Sequence, residues 1–251
     1  MLRDTRRDLE YFSKGIAFKQ MAIDEDRPTI ARLPRPEGQA GRASDVWDYS
    51  VKRVIQRFSR GDAIADLRPD VARMLELLAL KQATATSPQL PEKLRPMYTR
   101  LDLGVLYDTF TLLAFVVALR MPADDLDKAL SLIGHPGEDR VLDLVAKACC
   151  EPMRVIAIQP KFPKVHAGLA DVIAAPADHR ASKLHAFVRG WYRQMKPIYW
   201  HDNHLAATDT YFGYWCFEAA LVAMVFSIDD AALHDHPHYP IDLTRHHSET
   251  A

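Results

Sequence analysis

Residues Tyr211–Asp230 read YFGYWCFEAALVAMVFSIDD. Aromatic and aliphatic residues fall on every side of this stretch when it is wound as a helix. Glu218 is the one charge inside it, and Asp229 and Asp230 close it. A helix apolar all round belongs in the middle of a core or in a membrane. A carboxylate at the centre of a spanning helix costs about 3 kcal/mol, so the expectation is a buried helix of a soluble protein. Glu218 then has no solvent face. It is either a catalytic acid in an apolar pocket or a structural group tied to a buried donor. An isolated acid lacks the second group and the cleft that catalysis needs, and this favours the structural role.

The rest of the chain supports an all-α fold. Glycine is scarce, with 10 among 251 residues, and no segment alternates polar and apolar residues for long. Leu9, Phe12, Ile16 and Met21 form a helical stripe. Residues 24–44, rich in charge and proline, read as a loop, with Ser44 or Asp45 capping the next helix. That helix carries Val46, Trp47, Val51, Val54, Ile55 and Phe58 and stops at Gly61. Further helices are expected over 62–81 with a bend near Pro69, over 97–120, after Pro122, from Gly137, over 164–175 and over 177–195. The total is a compact multi-helix array of roughly ten helices by this periodicity.

Composition narrows function. The chain is 48% hydrophobic and 26% charged, with a net charge of −1. That balance calls for neither nucleic acid nor an anionic membrane as partner. Three cysteines, two of them adjacent, give no disulfide framework and point to a reducing compartment, the cytoplasm. The N-terminal MLRDTRRDLEYF lacks the apolar centre of a secretory signal. No motif calls for a cofactor.

Charge is spread unevenly. Nine acids face four bases between Leu101 and Glu151, and seven face one between Asp202 and Arg245. The acidic C-terminal half is either a solvated surface or a face shaped for a basic partner. Asp124, Asp125, Asp127, Glu138, Asp139, Asp143 and Asp235 are the candidate contacts.

Two histidine strings, HDNH at His201–His204 and HDHPH at His234–His238, offer an alternative, a metal-dependent hydrolase. Neither string has the spacing of a known zinc motif, and surface or structural histidines are the plainer reading. Cys149 with His166 as base is a weaker option, since nothing in the sequence brings them together. No serine lies in a Gly-x-Ser-x-Gly turn.

The closing stretch carries a family likeness. An aromatic-Gly-Tyr-Trp-x-x-Glu run, an Asp-Asp pair and a Tyr-Pro-x-Asp-Leu run occur in order, through Tyr211, Gly213, Tyr214, Trp215, Glu218, Asp229, Asp230, Tyr239, Pro240 and Asp242. This resembles the C-terminal signature of the PoNi-type immunity proteins. The opening LRDTRRDLEYFSKGI, with Arg3-Asp4 and Tyr11-Phe12, resembles the start of the same family, and WYRQM and WHDNH resemble its tryptophans ahead of the signature. The resemblance implies an N-terminal helical domain over 1–121 and a C-terminal one over 122–247. It also implies a cytoplasmic, non-catalytic protein whose partner is a cognate antibacterial toxin, such as a DNase of the PoNe group. A homodimer and a monomer both agree with the sequence. The asp-rich candidates above suit a nuclease, whose active-site surroundings are basic because they grip phosphate.

Overall fold

In the computed structural model, described over residues 1–250, helix begins where the sequence first supplies a cap. Asp8 accepts from the Tyr11 amide and starts α1, Leu9–Asp26. Its buried face is Phe12, Ile16, Lys19 and Ile23, at helical spacing, while Leu9 and Met21 of the expected stripe are exposed. The expected loop at 24–44 is mostly helical. A 3-10 turn at Arg27–Arg32 leads to α2, Pro36–Arg60. Proline is tolerated in a first turn, where its missing N–H has no partner to lose. Ser44 and Asp45 therefore lie inside α2 rather than at its cap, and the Ser44 hydroxyl bonds back to the Ala40 carbonyl at 2.9 Å. Gly61 ends α2 in the left-handed region at φ 95°.

The same proline rule moves the next start. α3 runs Arg68–Ala85 with Pro69 in its first turn, so there is no mid-helix bend. The expected 97–120 helix is two pieces, α4 at Arg95–Thr99 and α5 at Leu103–Ala118. Then come α6, Ala123–Ile133, and α7, Arg140–Cys149, which Asp139 caps by accepting from the Leu142 amide. α8 is Pro163–Ala174 and α9 is Ala177–Gln194. The quoted stretch is not one helix. Residues 211–216 are non-helical, with Gly213 at φ 116°, and α10 is only Phe217–Val225. α11, Ile241–Glu249, follows Pro240. The described residues thus hold eleven α-helices and no strand.

Contacts divide the chain into two units. The first is Met1–Asp108 with Asp202–Gly213. Here α1 and α3 pack on α2, and α4 lies against α2 and α3. Phe12, Trp47, Val54, Phe58, Val71 and Met74 fill the centre. Each fully buried apolar side chain of this size contributes about 1.5–3 kcal/mol before entropy is counted. Tyr211 belongs to this unit. Its hydroxyl donates to the buried Asp4 carboxylate, and its carbonyl accepts from Gln56 at 3.0 Å. Asp108 is buried, and burial pushes its carboxyl well above the usual carboxylate range, with Lys52 and Lys81 opposing.

The second unit is Thr109–His201 with Tyr214–Ala251. α8 pairs with α9, α7 packs on α8 and α10, and α10 touches α9 and α11. Phe115, Leu142, Leu169, Trp191, Phe217 and Leu221 are its core. No single helix among the described residues is long and apolar enough to cross a membrane. The pair Glu92–Thr99 and Leu103–Ala118 reaches that length only across a 54° bend.

Candidate functional site

α10 starts after Cys216, which puts Glu218 in its first turn, where a helix favours negative charge. The side chain points into the second unit's core. The Trp191 indole N–H donates to Glu218 Oε1, and His166 Nε2 lies 3.8 Å from the same oxygen. The Phe110 ring meets His166 edge-on at 5.6 Å. Glu218, His166 and Trp191 are 0%, 1% and 0% exposed, so no solute reaches the carboxylate in this conformation. Burial first, then the charge of Glu218, holds the Cys216 thiol well above its ordinary range. The arrangement fastens α8, α9 and α10 to one another.

Most of the other residues of this stretch are buried or bonded within the fold. Tyr214 is buried and stacks on Trp200 at 5.3 Å, its carbonyl facing His238 Nδ1 at 3.2 Å. Trp215 is 4% exposed. The Cys216 amide donates to the His238 carbonyl at 2.8 Å. Asp229 accepts from the Ala231 amide at 3.0 Å, a local bond at the entry to the 3-10 turn Ala231–Leu233, whose N-cap position is Asp230. Asp230 does a different job. It accepts from the Tyr239 hydroxyl at 2.7 Å, pinning the Tyr-Pro turn beside it. Burial and the Asp230 charge keep the Tyr239 phenol well above its usual range. Pro240 precedes α11, and Asp242 lies in that helix's first turn.

The histidine strings do not form a ligand set. His201 and His238 each stack on Tyr192, at 4.4 Å and 4.9 Å. His234 pairs with Asp235 at 2.6 Å. His204 belongs to the first unit. Among the described residues, no group of three or more His, Cys, Asp or Glu side chains converges as a metal site would require. Cys149 is no activated nucleophile, since burial pushes its thiol up to about 11.

The acidic candidates separate into two classes. Asp124, Asp125 and Asp127 stand at the start of α6 on the surface, Glu138 is exposed, and Asp235 is almost fully so. Asp139 and Asp143 are both 0% exposed, which corrects the expectation that they face a partner. Asp139 caps α7 and also accepts from the Lys161 amide at 2.8 Å. Asp143 takes Arg154 Nε at 2.8 Å and the amides of Gly137 and Ala157 at 3.1 Å and 3.0 Å. Arg154 also reaches Glu151 at 2.9 Å and the Gly134 carbonyl at 2.6 Å. With Asp108, Asp139 and Asp143 buried, six surface acids rather than nine face the four bases of residues 101–151. Glu138 spends its charge on His135 and Lys161, both of which lower its pKa. The acidic face is therefore narrower than composition suggests, and it centres on α6.

Arg154 and its loop are what sequence reasoning missed. Met153, Val155 and Ile158 stand 91%, 64% and 95% exposed around an arginine that is 8% exposed. An arginine eleven residues from its partner leaves no periodic signal.

Comparison with known proteins agrees with this architecture. Residues 137–243 match the family model described as PoNe immunity proteins (PoNi), C-terminal. No curated protein matches the chain. Among solved structures, the crystal structure of protein PA2201 from Pseudomonas aeruginosa is similar at 18% identity. The match covers 99% of this chain and 91% of that one with a TM-score of 0.72, a likeness of fold. The matched segment contains the Trp191–Glu218 bond, the Asp229–Asp230 pair and the Tyr239 hook, and over residues 137–243 this chain is similar to the C-terminal region of the PoNe immunity proteins (PoNi).

Proposed function

We propose that this chain is an immunity protein that binds a cognate antibacterial toxin of the nuclease (DNase) kind in the cytoplasm and neutralises it by covering it. The match of residues 137–243 carries this reading. The buried state of Glu218 supports binding rather than catalysis, since the carboxylate is shut away from solvent inside the core with Oε1 taken by Trp191. On this proposal 1–121 and 122–247 are the family's N-terminal and C-terminal segments.

The interface is proposed on the acids that remain at the surface. Asp124, Asp125 and Asp127 sit together on the first turns of α6, with Glu138 and Asp235 as further candidates. A nuclease presents basic residues around its phosphate-binding cleft. Carboxylates opposite them raise the association rate and select the partner, and salt weakens both effects.

The test is co-expression with nuclease toxins of the PoNe kind, including any encoded in the neighbouring reading frames. Rescue of growth is expected for the native protein. Reversal of Asp124, Asp125, Asp127 and Glu138 to lysine is expected to slow association most at low salt. Rescue that never occurs refutes the function. Rescue and association rate both untouched by the reversal refute the interface alone.

A further inference from the structure

The first unit holds a groove of about 760 Å³ beside α1 and α2 that the toxin-binding reading does not use. Its wall is aromatic. Phe18 and Tyr49 meet edge-on at 6.1 Å, and Tyr11 lies farther along. The volume is in the range of small-molecule sites, which combine an apolar lining with a few placed polar groups.

One of those polar groups is Lys19. It occupies a core-facing position of α1 and is only 7% exposed. It lines the groove, yet it has neither a hydrogen-bond nor an ion-pair partner among the described residues. Its lysine neighbours differ in this respect. Lys14 is paired with Glu10 and Lys52 with Asp48, each at 2.6 Å. A buried charge is costly unless a counter-charge meets it. Burial first, then the Lys52 charge, lowers the Lys19 pKa to about 8, with the Asp48 charge opposing. The ammonium is thus still charged near neutral pH and opens on the groove, with no carboxylate paired to it directly.

We propose that this groove binds a small-molecule carboxylate on an apolar or aromatic body, with Lys19 as its charge partner and the Phe18 and Tyr49 rings as its wall. Two of the acids that also line the groove, Asp8 and Glu10, sit at the start of α1, away from Lys19 along the helix. Asp8 is eleven residues earlier, about 16 Å at 1.5 Å per residue. Asp8 and Glu10 therefore repel a carboxylate from the far end, and the charge of Asp209 is felt at Tyr11 and Lys14 rather than at Lys19, which leaves the Lys19 end for it. The site is independent of the toxin-binding surface proposed on α6.

The test uses the full chain and 4-phenylbutyrate as probe, with 4-phenylbutanamide as its neutral counterpart. Binding is followed by NMR at the lysine 13Cε resonances. The acid is expected to bind saturably and to move the Lys19 resonance. It should also raise the pH at which that amine titrates, because an opposite charge favours the ammonium. The amide is expected to bind about tenfold more weakly or worse, the usual worth of a charged hydrogen bond. K19M is expected to lose the acid's advantage and K19R to keep it. K19M should melt no lower than the native chain, since a charge has left the interior. Absence of saturable acid binding, equal affinity of the native chain for acid and amide, or unchanged acid binding in K19M overturns the proposal. The acid–amide comparison needs no variant, so a K19M chain that fails to fold does not shield it.

Discussion

Cutting the Asp143–Arg154 pair is the most direct test of how the second unit is held together. Asp143 is 0% exposed and Arg154 8%, and three donors converge on the carboxylate. Asp143→Asn keeps the shape and one carbonyl oxygen but removes the charge. Arg154 is then left buried with only Glu151, whose side chain is 31% exposed, as counter-ion. Breaking a buried pair from one side costs about 3–5 kcal/mol. That is a large part of the roughly 5–15 kcal/mol that holds a typical domain. Arg154→Met alone leaves the carboxylate buried with its two amide donors and should cost a similar amount. The double variant Asp143→Asn, Arg154→Met removes both charges, so its loss should fall short of the sum by about 2–3 kcal/mol. Urea unfolding followed by both far-ultraviolet circular dichroism and tryptophan fluorescence gives the four corners of the cycle. Agreement of the two probes shows whether one transition describes the loss. A single-variant cost below about 1 kcal/mol, or a coupling near zero, refutes the claim that this pair locks the 150–162 loop to α7.

Other outcomes follow from the same geometry. Tyr239→Phe, which removes the bond to Asp230, should cost about 1–2 kcal/mol in thermal or urea unfolding. In the native chain the Tyr239 phenol should contribute no phenolate absorbance until the fold opens, because burial raises its pKa. Lys19 gives a pH dependence of opposite sign to a paired lysine. Its pKa is about 8 folded against 10.5 free, so the unfolded chain binds the extra proton between those values. Its contribution to stability is constant below 8 and rises as pH climbs towards 10.5, by at most about 3 kcal/mol at 1.36 kcal/mol per pH unit. Urea titrations across that range should show this slope in the native chain and lack it in K19M. Gly61→Ala should destabilise by about 1–3 kcal/mol in the same assay. Its φ is 95°, and an added Cβ would sit 2.0 Å from the Met1 carbonyl oxygen.

The helical class was legible because most apolar residues recur at helical spacing. Boundaries were harder where proline stood in a first turn. Pro36 and Pro69 look like breakers, yet each begins a helix because the first amides have no partner to lose. Tyr211–Cys216 was misread for a different reason. A stretch apolar on every side has no period, so it does not distinguish a buried helix from buried extended chain. Gly213, at φ 116°, was the available sign. Glu218 was legible as a buried acid, because no polar residue neighbours it in the sequence. Asp143 was not, although VLDLV around it is as apolar as a core segment. Counting acids treats Asp124 and Asp143 alike, whereas the fold gives one to water and the other to Arg154. Lys19 was similarly hidden. It shares a face with Phe12, Ile16 and Ile23, a pattern visible in sequence once Lys is allowed among core positions.

Residues 202–213 belong to the first unit although they follow most of the second. Their anchors lie far back in the chain. Tyr211 reaches Asp4, 207 residues earlier, and Ser59 donates to the Phe212 carbonyl across 153 residues. On the ribosome, the earliest helices must therefore wait for a segment made near the end of translation before their packing is complete. Distant closures of this kind slow folding and lengthen the exposure of unfinished surfaces. A fragment cut at residue 137 would carry this segment away from Asp4, Gln56 and Ser59, so expression of the matched region alone is expected to yield a poorly behaved polypeptide.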